Sequence, residues 1–178
     1  MRTLFLLNPT AGKADCTRTL PQQINAAAAR AGLAPEEYTI QVTNHAGHAR
    51  ELANAAAQQA RQSGEELRVF TAGGDGTFNE ALTGAQGCSL AAVGCLPFGS
   101  GNDFLRTYGT REEFNDLDAQ LAAGESDYVA ASSESPTLMA PMRFVLEDMD
   151  WEKQRPKHQW WRTLRPVFDQ LSRRPGQE

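Results

Sequence analysis

The sequence predicts an α/β fold, a parallel sheet with helices on both faces, and three observations carry that expectation. Short apolar runs of strand length alternate four times with longer, alanine-rich segments of helical period. Glycine stands where several of the helical segments would stop. Every loop that is unusually rich in glycine and hydroxyl residues follows a strand. Strand, loop and helix in repeated succession mark right-handed βαβ units, in which helices cover a parallel sheet.

The elements follow in order. "TLFLL" (residues 3–7) is an apolar run of strand length, and "TLPQQINAAAARAG" is helical, with Gly32 at the position of a C-terminal cap. "EYTIQVT" (37–43) alternates as a second strand, and "HARELANAAAQQARQSG" is a helix closed by Gly64. "LRVFTA" is the third strand, followed by "FNEALTG", a short helix over 77–83 that ends at Gly84. "LAAVGCLP" is the fourth strand, and in "GSGNDFLRTYG" Asn102 or Asp103 can cap a helix starting near Phe104. "TREEFNDLDAQLAAG" reads as one further helix whose acidic first turn suits the helix dipole. The pattern is coherent to about Asp127, which sets a domain over residues 1–127. "YVAASSESPTLMAPM" is aperiodic and rich in Ser and Pro, so residues 128–150 read as a linker. Residues 151–178 form a basic tail, irregular or helical.

Composition bounds the function. A chain of 178 residues has room for one ordinary domain and a modest appendage, and 40% hydrophobic residues suffice for a core. The net charge of −5 hides an asymmetry: residues 1–150 carry 10 Lys/Arg against 19 Asp/Glu, whereas 151–178 carry 7 against 3. An acidic body argues against nucleic acid as a partner. Cys16, Cys88 and Cys95 are odd in number and form no C-x-x-C pair, which fits a reducing cytosol rather than a secreted disulfide framework. The apolar runs fall short of the ~18–20 residues of a membrane span. Asn8-Pro9 ends the apolar start too early for a signal peptide, so the expectation is a soluble cytoplasmic protein. In the tail, Trp160, Trp161, Leu164, Val167, Phe168 and Leu171 fall near helical spacing among Arg162, Arg165, Arg173 and Arg174. The plain reading is a terminal helix or a disordered end; the sharper one is peripheral membrane contact with anionic lipid.

Four loops carry the unusual residues: 8–12, 43–47, 73–77 and 98–103. In a parallel sheet the C-terminal ends of all four strands lie along one edge, where open α/β sheets bind ligands. In "VFTAGGDGTFNE" (69–80), Gly73, Gly74 and Gly76 allow a sharp turn and keep Cβ atoms away from an incoming group. Their N–H groups, with the following helix N-terminus, suit phosphate oxygens. Thr77 adds a hydroxyl donor, and Asp75 suits a Mg²⁺ ion or a proton from an attacking hydroxyl. Glu80, one turn along, suits bracing the loop. Taken singly, each feature also reads as an ordinary turn. "LLNPTAGK" is not a Walker A loop. His45 and His48 have the i, i+3 spacing of metal ligands, but no third ligand is visible nearby, so a metal there is not the expectation. Four such loops on one edge argue for one site.

The motifs "NPTAG", "TNHAGHA", "AGGDGTFNEALTG" and "LPFGSGNDFLR" occur in order and spacing that resemble the diacylglycerol kinase catalytic-domain family, which includes bacterial lipid kinases, sphingosine kinases and ceramide kinases. The resemblance covers about residues 2–127 and implies a Rossmann-like nucleotide-binding domain that phosphorylates a lipid hydroxyl, such as that of diacylglycerol, with ATP and Mg²⁺. It implies nucleotide contacts at Asn8, Pro9, Thr10, Ala11, Gly12, Thr43, Gly74, Asp75, Gly76, Thr77, Phe78, Asn79, Glu80 and Ser100. Ser100 stands where the family more often has Thr. Asp75 would be the catalytic acidic residue, as general base or through Mg²⁺. The resemblance further implies a second, β-rich domain that shapes the lipid pocket and adds acidic residues to the metal site. No strand alternation of that kind follows Asp127, so a truncated member of weak activity and a homo-oligomer both stay open. The alternatives are an NAD kinase-like enzyme, which shares the GGDGT turn but not the "GSGND" run, and a nucleotide-binding module without catalysis.

Overall fold

The sheet grows outward from β1 (Arg2–Leu7), which pairs in parallel with β2 (Tyr38–Val42) on one side and β3 (Leu67–Gly73) on the other. β4 (Ala91–Pro97) continues the parallel run beside β3. A two-residue strand, β5 (Val129–Ala130), lies antiparallel to β4 and completes the order β2-β1-β3-β4-β5. This computed structural model describes residues 1–13, 15–102, 110–122 and 129–130. They all fall within one compact unit, Met1–Pro141. The basic tail, the rest of the expected linker and the helix expected near Phe104 lie outside the described residues.

Between the strands run α1 (Leu20–Arg30), α2 (His48–Ser63) and α3 (Asp75–Ala85); α4 (Arg111–Asn115) and α5 (Leu117–Ala122) follow β4. Helices cover both faces, as expected. α1 and α5 close one core with Phe5, Leu7, Phe70, Ala72 and Leu96, whereas α2 and α3 close the other with Leu4, Leu6, Val69 and Val93. Successive residues of a strand thus bury in opposite layers, which is why these strands read as unbroken apolar runs. Phe5 and Phe70 face each other in register, their rings stacked with centroids 5.3 Å apart. Truncating either to alanine would cost ~3–5 kcal/mol. On the helix side, Ala49, Ala53, Ala57 and Ala60 form the buried stripe of α2. Gly32 and Gly64 both adopt left-handed conformations just past the helices they were expected to close.

Three boundaries differ from expectation. α3 begins at Asp75, not at residue 77, so β3 passes into the helix through Gly74 alone. Asp75 is therefore the first helical residue rather than part of a turn. The single helix expected over 110–124 is two, broken at extended Asp116, whose side chain accepts the Ala119 N–H at 3.0 Å and so caps the second. The break separates Phe114, which packs against the α2–α3 core, from Leu117 and Leu121, which pack in the other. Finally, β5 falls within the segment read as linker; its two residues are too short to carry a pattern.

Candidate active site

The order β2-β1-β3-β4 reverses direction between β1 and β3, and the ligand crevice of an open α/β sheet lies at such a switch point, outside the strand C-termini. The loop after β1 and the start of α3 flank it. The first loop is tied down from below: Asn8 N–H donates to the Ala72 carbonyl at 2.9 Å, and the buried Cys16 thiol lies 3.4 Å from the Asn8 carbonyl. The loop after β4 is tied to the same place, because Phe98 and Gly99 both donate N–H to the Gly73 carbonyl at 2.9 Å.

Two close approaches decide where glycine is needed. Gly12 has φ 73, and a Cβ there would run into the Phe98 carbonyl, so the first loop lies directly against the fourth. Gly74 and Gly99 meet backbone to backbone, and a Cβ on Gly99 would collide with the Gly74 Cα. These glycines thus serve loop-to-loop packing.

The polar centre of the crevice is Asn8. Its Oδ1 accepts the Thr10 N–H at 3.0 Å and the Thr10 hydroxyl at 2.9 Å, while its Nδ2 donates to Thr77 Oγ1 at 2.9 Å. A backbone N–H can only donate, so the amide orientation is fixed: oxygen to Thr10, nitrogen to Thr77. Thr77 Oγ1 then accepts, and its own proton is left to donate to another group. Among the described residues no acceptor takes it. The N-cap position of α3 is Gly74, which has no side chain to cap the helix. By contrast, the N-terminus of α2 is met by Glu80, whose Oε1 accepts the Gly47 N–H at 2.9 Å, and α4 carries a full Thr110–Glu113 capping box.

Asp75 is half-buried on the first turn of α3, with the loop after β4 passing over it: a Cβ on Gly101 would sit 3.2 Å from its Oδ2. Beneath it, burial pushes the Cys95 thiol up to about 12, and the negative charge of Asp75 adds to the effect. Cys95 therefore stays protonated and inert beside the carboxylate.

The structure brings together Asn8, Thr10, Gly12, Gly74, Asp75, Gly76 and Thr77. Pro9 and Ala11 complete the first loop, half-buried, and Ser100 is exposed on the fourth. Thr43 is buried at the end of β2, its N–H donated to the Leu7 carbonyl at 2.8 Å and its hydroxyl 3.4 Å from the same oxygen. Phe78 packs its ring in the α2–α3 core, and Asn79 is half-buried one residue further along α3. Glu80 braces the loop after β2 rather than its own. Sequence reasoning missed the place of Cys95 beside Asp75 and the bond from Asn8 to Thr77; the bond spans 69 residues and leaves no local signal. It also missed a third group near His45 and His48, which is Glu51.

Residues 2–132 match the diacylglycerol kinase catalytic domain. The chain belongs to that family. It is 40% identical over 79 residues to a Citrobacter koseri protein named "Probable lipid kinase YegS-like", covering 43% of this chain and 25% of that one. It is 35% identical over 107 residues to a diacylglycerol kinase of Staphylococcus saprophyticus, covering 59% of this chain and 32% of the relative. Its fold is similar to that of a Bacillus anthracis (strain Sterne) structure with a provisional diacylglycerol kinase name, at TM-score 0.51 and 25% identity, covering 66% of this chain and 39% of the other. This lipid-kinase family member thus spans a quarter to a third of the length of these curated relatives. No helix among its described residues is long and apolar enough to cross a membrane.

Proposed function

We propose that this chain binds Mg·ATP in the crevice between β1 and β3 and serves as the nucleotide-binding half of an ATP-dependent lipid kinase, with a lipid alcohol such as diacylglycerol as acceptor. The observation that carries the reading is the Thr77 hydroxyl, which accepts from Asn8 and, among the described residues, has no acceptor for its own proton, so that it suits an anion at the N-terminus of α3. The N–H groups of Gly76 and Thr77 in the first helical turn suit phosphate oxygens, and Gly74 lets them approach. The exposed tip at Ser100 lies on the loop packed against Gly74 and suits a further hydroxyl contact.

Asp75 carries the chemistry, as the carboxylate that holds Mg²⁺ or as the base for the acceptor hydroxyl. A single carboxylate suits a magnesium ion, which takes one or two carboxylates and leaves its other positions to water and phosphate. When bound, the ion offsets charge on the transferring phosphoryl group. Asp75 is the first residue of α3, beside the N–H groups offered to phosphate, and the loop at Gly101 passes close to its Oδ2.

Binding needs only these loops. Transfer needs the acceptor held in line, which can supply ~7–11 kcal/mol of the barrier. We therefore expect the 178-residue chain to bind Mg·ATP while transferring phosphate weakly by itself. Its lipid acceptor makes the cytoplasmic membrane surface the site of the reaction. Radiolabelled phosphate transfer from ATP to a panel of diacylglycerol, long-chain base and NAD⁺ tests the reading. Labelled lipid that disappears in Asp75→Asn supports it; labelled NAD⁺ without labelled lipid would reverse it in favour of a ribose kinase.

A further inference from the structure

We propose that His45, His48 and Glu51 form a binding site for a late transition metal ion of the zinc class, separate from the crevice and independent of the phosphotransfer reading. The three residues stand on the loop after β2 and the first turns of α2, and their ligand atoms all lie within 4.8 Å of one another. Sequence spacing alone paired the two histidines; the left-handed Gly47, φ 87, turns the loop so that His45 comes back beside Glu51, six residues on.

The hydrogen bonding around His45 favours a ligand. Its Nδ1 lies 3.0 Å from the Ala46 carbonyl, which can only accept, so Nδ1 carries the proton. The lone pair is then on Nε2, which faces Glu51 Oε2 at 3.9 Å. A carbonyl behind one imidazole nitrogen is what commonly orients the other toward a metal. The His48 ring stacks on that of His45 with centroids 4.7 Å apart and 26° between planes, so both imidazoles stand on the same side. His48 Nδ1 accepts the Asn44 N–H at 3.1 Å; binding a metal there exchanges one hydrogen bond of an exposed amide for a coordinate bond.

The backbone under these side chains is fixed. His48 N–H donates to the His45 carbonyl at 3.2 Å, and the Gly47 N–H is held by Glu80 from α3. Ligand atoms of a tetrahedral zinc stand roughly 3.4 Å apart for bonds of about 2.0–2.1 Å, so the exposed side chains need to close by about an ångström. Two imidazoles and one carboxylate suit Zn²⁺, Ni²⁺ or Cu²⁺ and leave one position to water, whereas Mg²⁺ prefers oxygen donors. The site thus differs in metal class from Asp75. Occupancy would bridge the loop after β2 to α2 and stiffen the segment between Thr43 and the Gly47–Glu80 contact.

The test is a calorimetric titration of the tag-free full chain with Zn²⁺, beside the His45→Gln/His48→Gln double variant and Glu51→Gln. His158 and the three cysteines remain in every protein, so binding at those residues cannot mimic the result. The expected result is one bound Zn²⁺, weakened at least about tenfold in each variant, with a Zn²⁺-dependent rise in Tm for the wild type only. Absence of Zn²⁺ binding by the wild type, unchanged binding in the variants, or equally tight binding of Mg²⁺ would each overturn the proposal. If circular dichroism shows the double variant misfolded, Glu51→Gln alone decides: weaker binding supports the site and unchanged binding removes it.

Discussion

Asn8 donates a side-chain N–H to the Thr77 hydroxyl across 2.9 Å, joining the loop after the first strand to the helix after the third. Because Asn8 Oδ1 is already engaged by Thr10, the direction of this bond is set by geometry and not by choice of rotamer. The consequence is that Thr77, in the first turn of α3, accepts this bond and keeps its own hydroxyl proton to donate.

Asn8→Asp should therefore damage ATP binding more than Asn8→Ala does. A carboxylate can only accept, so Thr77 would turn its proton inward, and a negative charge would stand where phosphate is expected. We expect Asn8→Ala to weaken Mg·ATP binding about fivefold to tenfold, in keeping with loss of one hydrogen bond of ~1 kcal/mol, and Asn8→Asp to weaken it at least about a further tenfold. Calorimetric titration compares them. Equal affinities for the two variants would mean that the orientation of Thr77 is immaterial.

Asp75→Asn is isosteric and lies on the first turn of α3, where the surroundings are half-buried. The expected outcome is a nearly unchanged Tm with phosphoryl transfer reduced by about 10²-fold or more. A large fall in Tm with transfer intact would reassign Asp75 to structure.

How much of this was legible depended on whether the responsible interaction was local. Leu4–Leu7 and Val69–Phe70 read as strands because residues buried on both sides leave no polar interruption, and Gly32 and Gly64 announced helix ends through their own backbone preference. The start of α3 was misread because Gly74 and Gly76 look like turn residues, yet the first helical positions tolerate glycine, having no intrahelical N–H partner to lose. The break at Asp116 had a signal, a capping residue three before Ala119, that competed with the helical period of the whole segment. Contacts between distant loops, Asn8 with Thr77 or Glu80 with Gly47, left no trace because nothing local requires them.

Gly12→Ala tests the packing of the first loop on the fourth. An alanine would need a left-handed backbone and would meet the Phe98 carbonyl. The expected loss of stability is about 1–3 kcal/mol, with a larger proportional loss of ATP affinity because both loops shift. Denaturant unfolding measures the first and titration the second. A variant with wild-type stability would show that the two loops do not rest on each other in solution.

Cys95 gives an alkaline limb to stability. Its thiol is raised from 9.0 to about 12 in the folded chain, chiefly by burial and further by Asp75. The folded state therefore holds the proton more tightly than the unfolded state. The contribution is fully present below pH ~9, the unfolded value, and is lost as pH rises toward ~12, on the order of a few kcal/mol. Cys95→Ala should flatten unfolding free energy over that window, apart from a pH-independent offset for the lost packing. An alkaline slope as steep in Cys95→Ala as in the wild type would assign the effect to other groups.

On the proposed reading, the crevice between β1 and β3 takes the phosphates of a nucleotide at the N-terminus of α3. Titration of Mg·ATP into the full chain, with Thr77→Val beside it, tests this most directly. The expected result is saturable one-to-one binding that Thr77→Val weakens by about tenfold or more, a charged hydrogen bond being worth ~1.5–3 kcal/mol, with the fold intact. No saturable heat at millimolar ATP, or equal affinity for the two proteins, would contradict it.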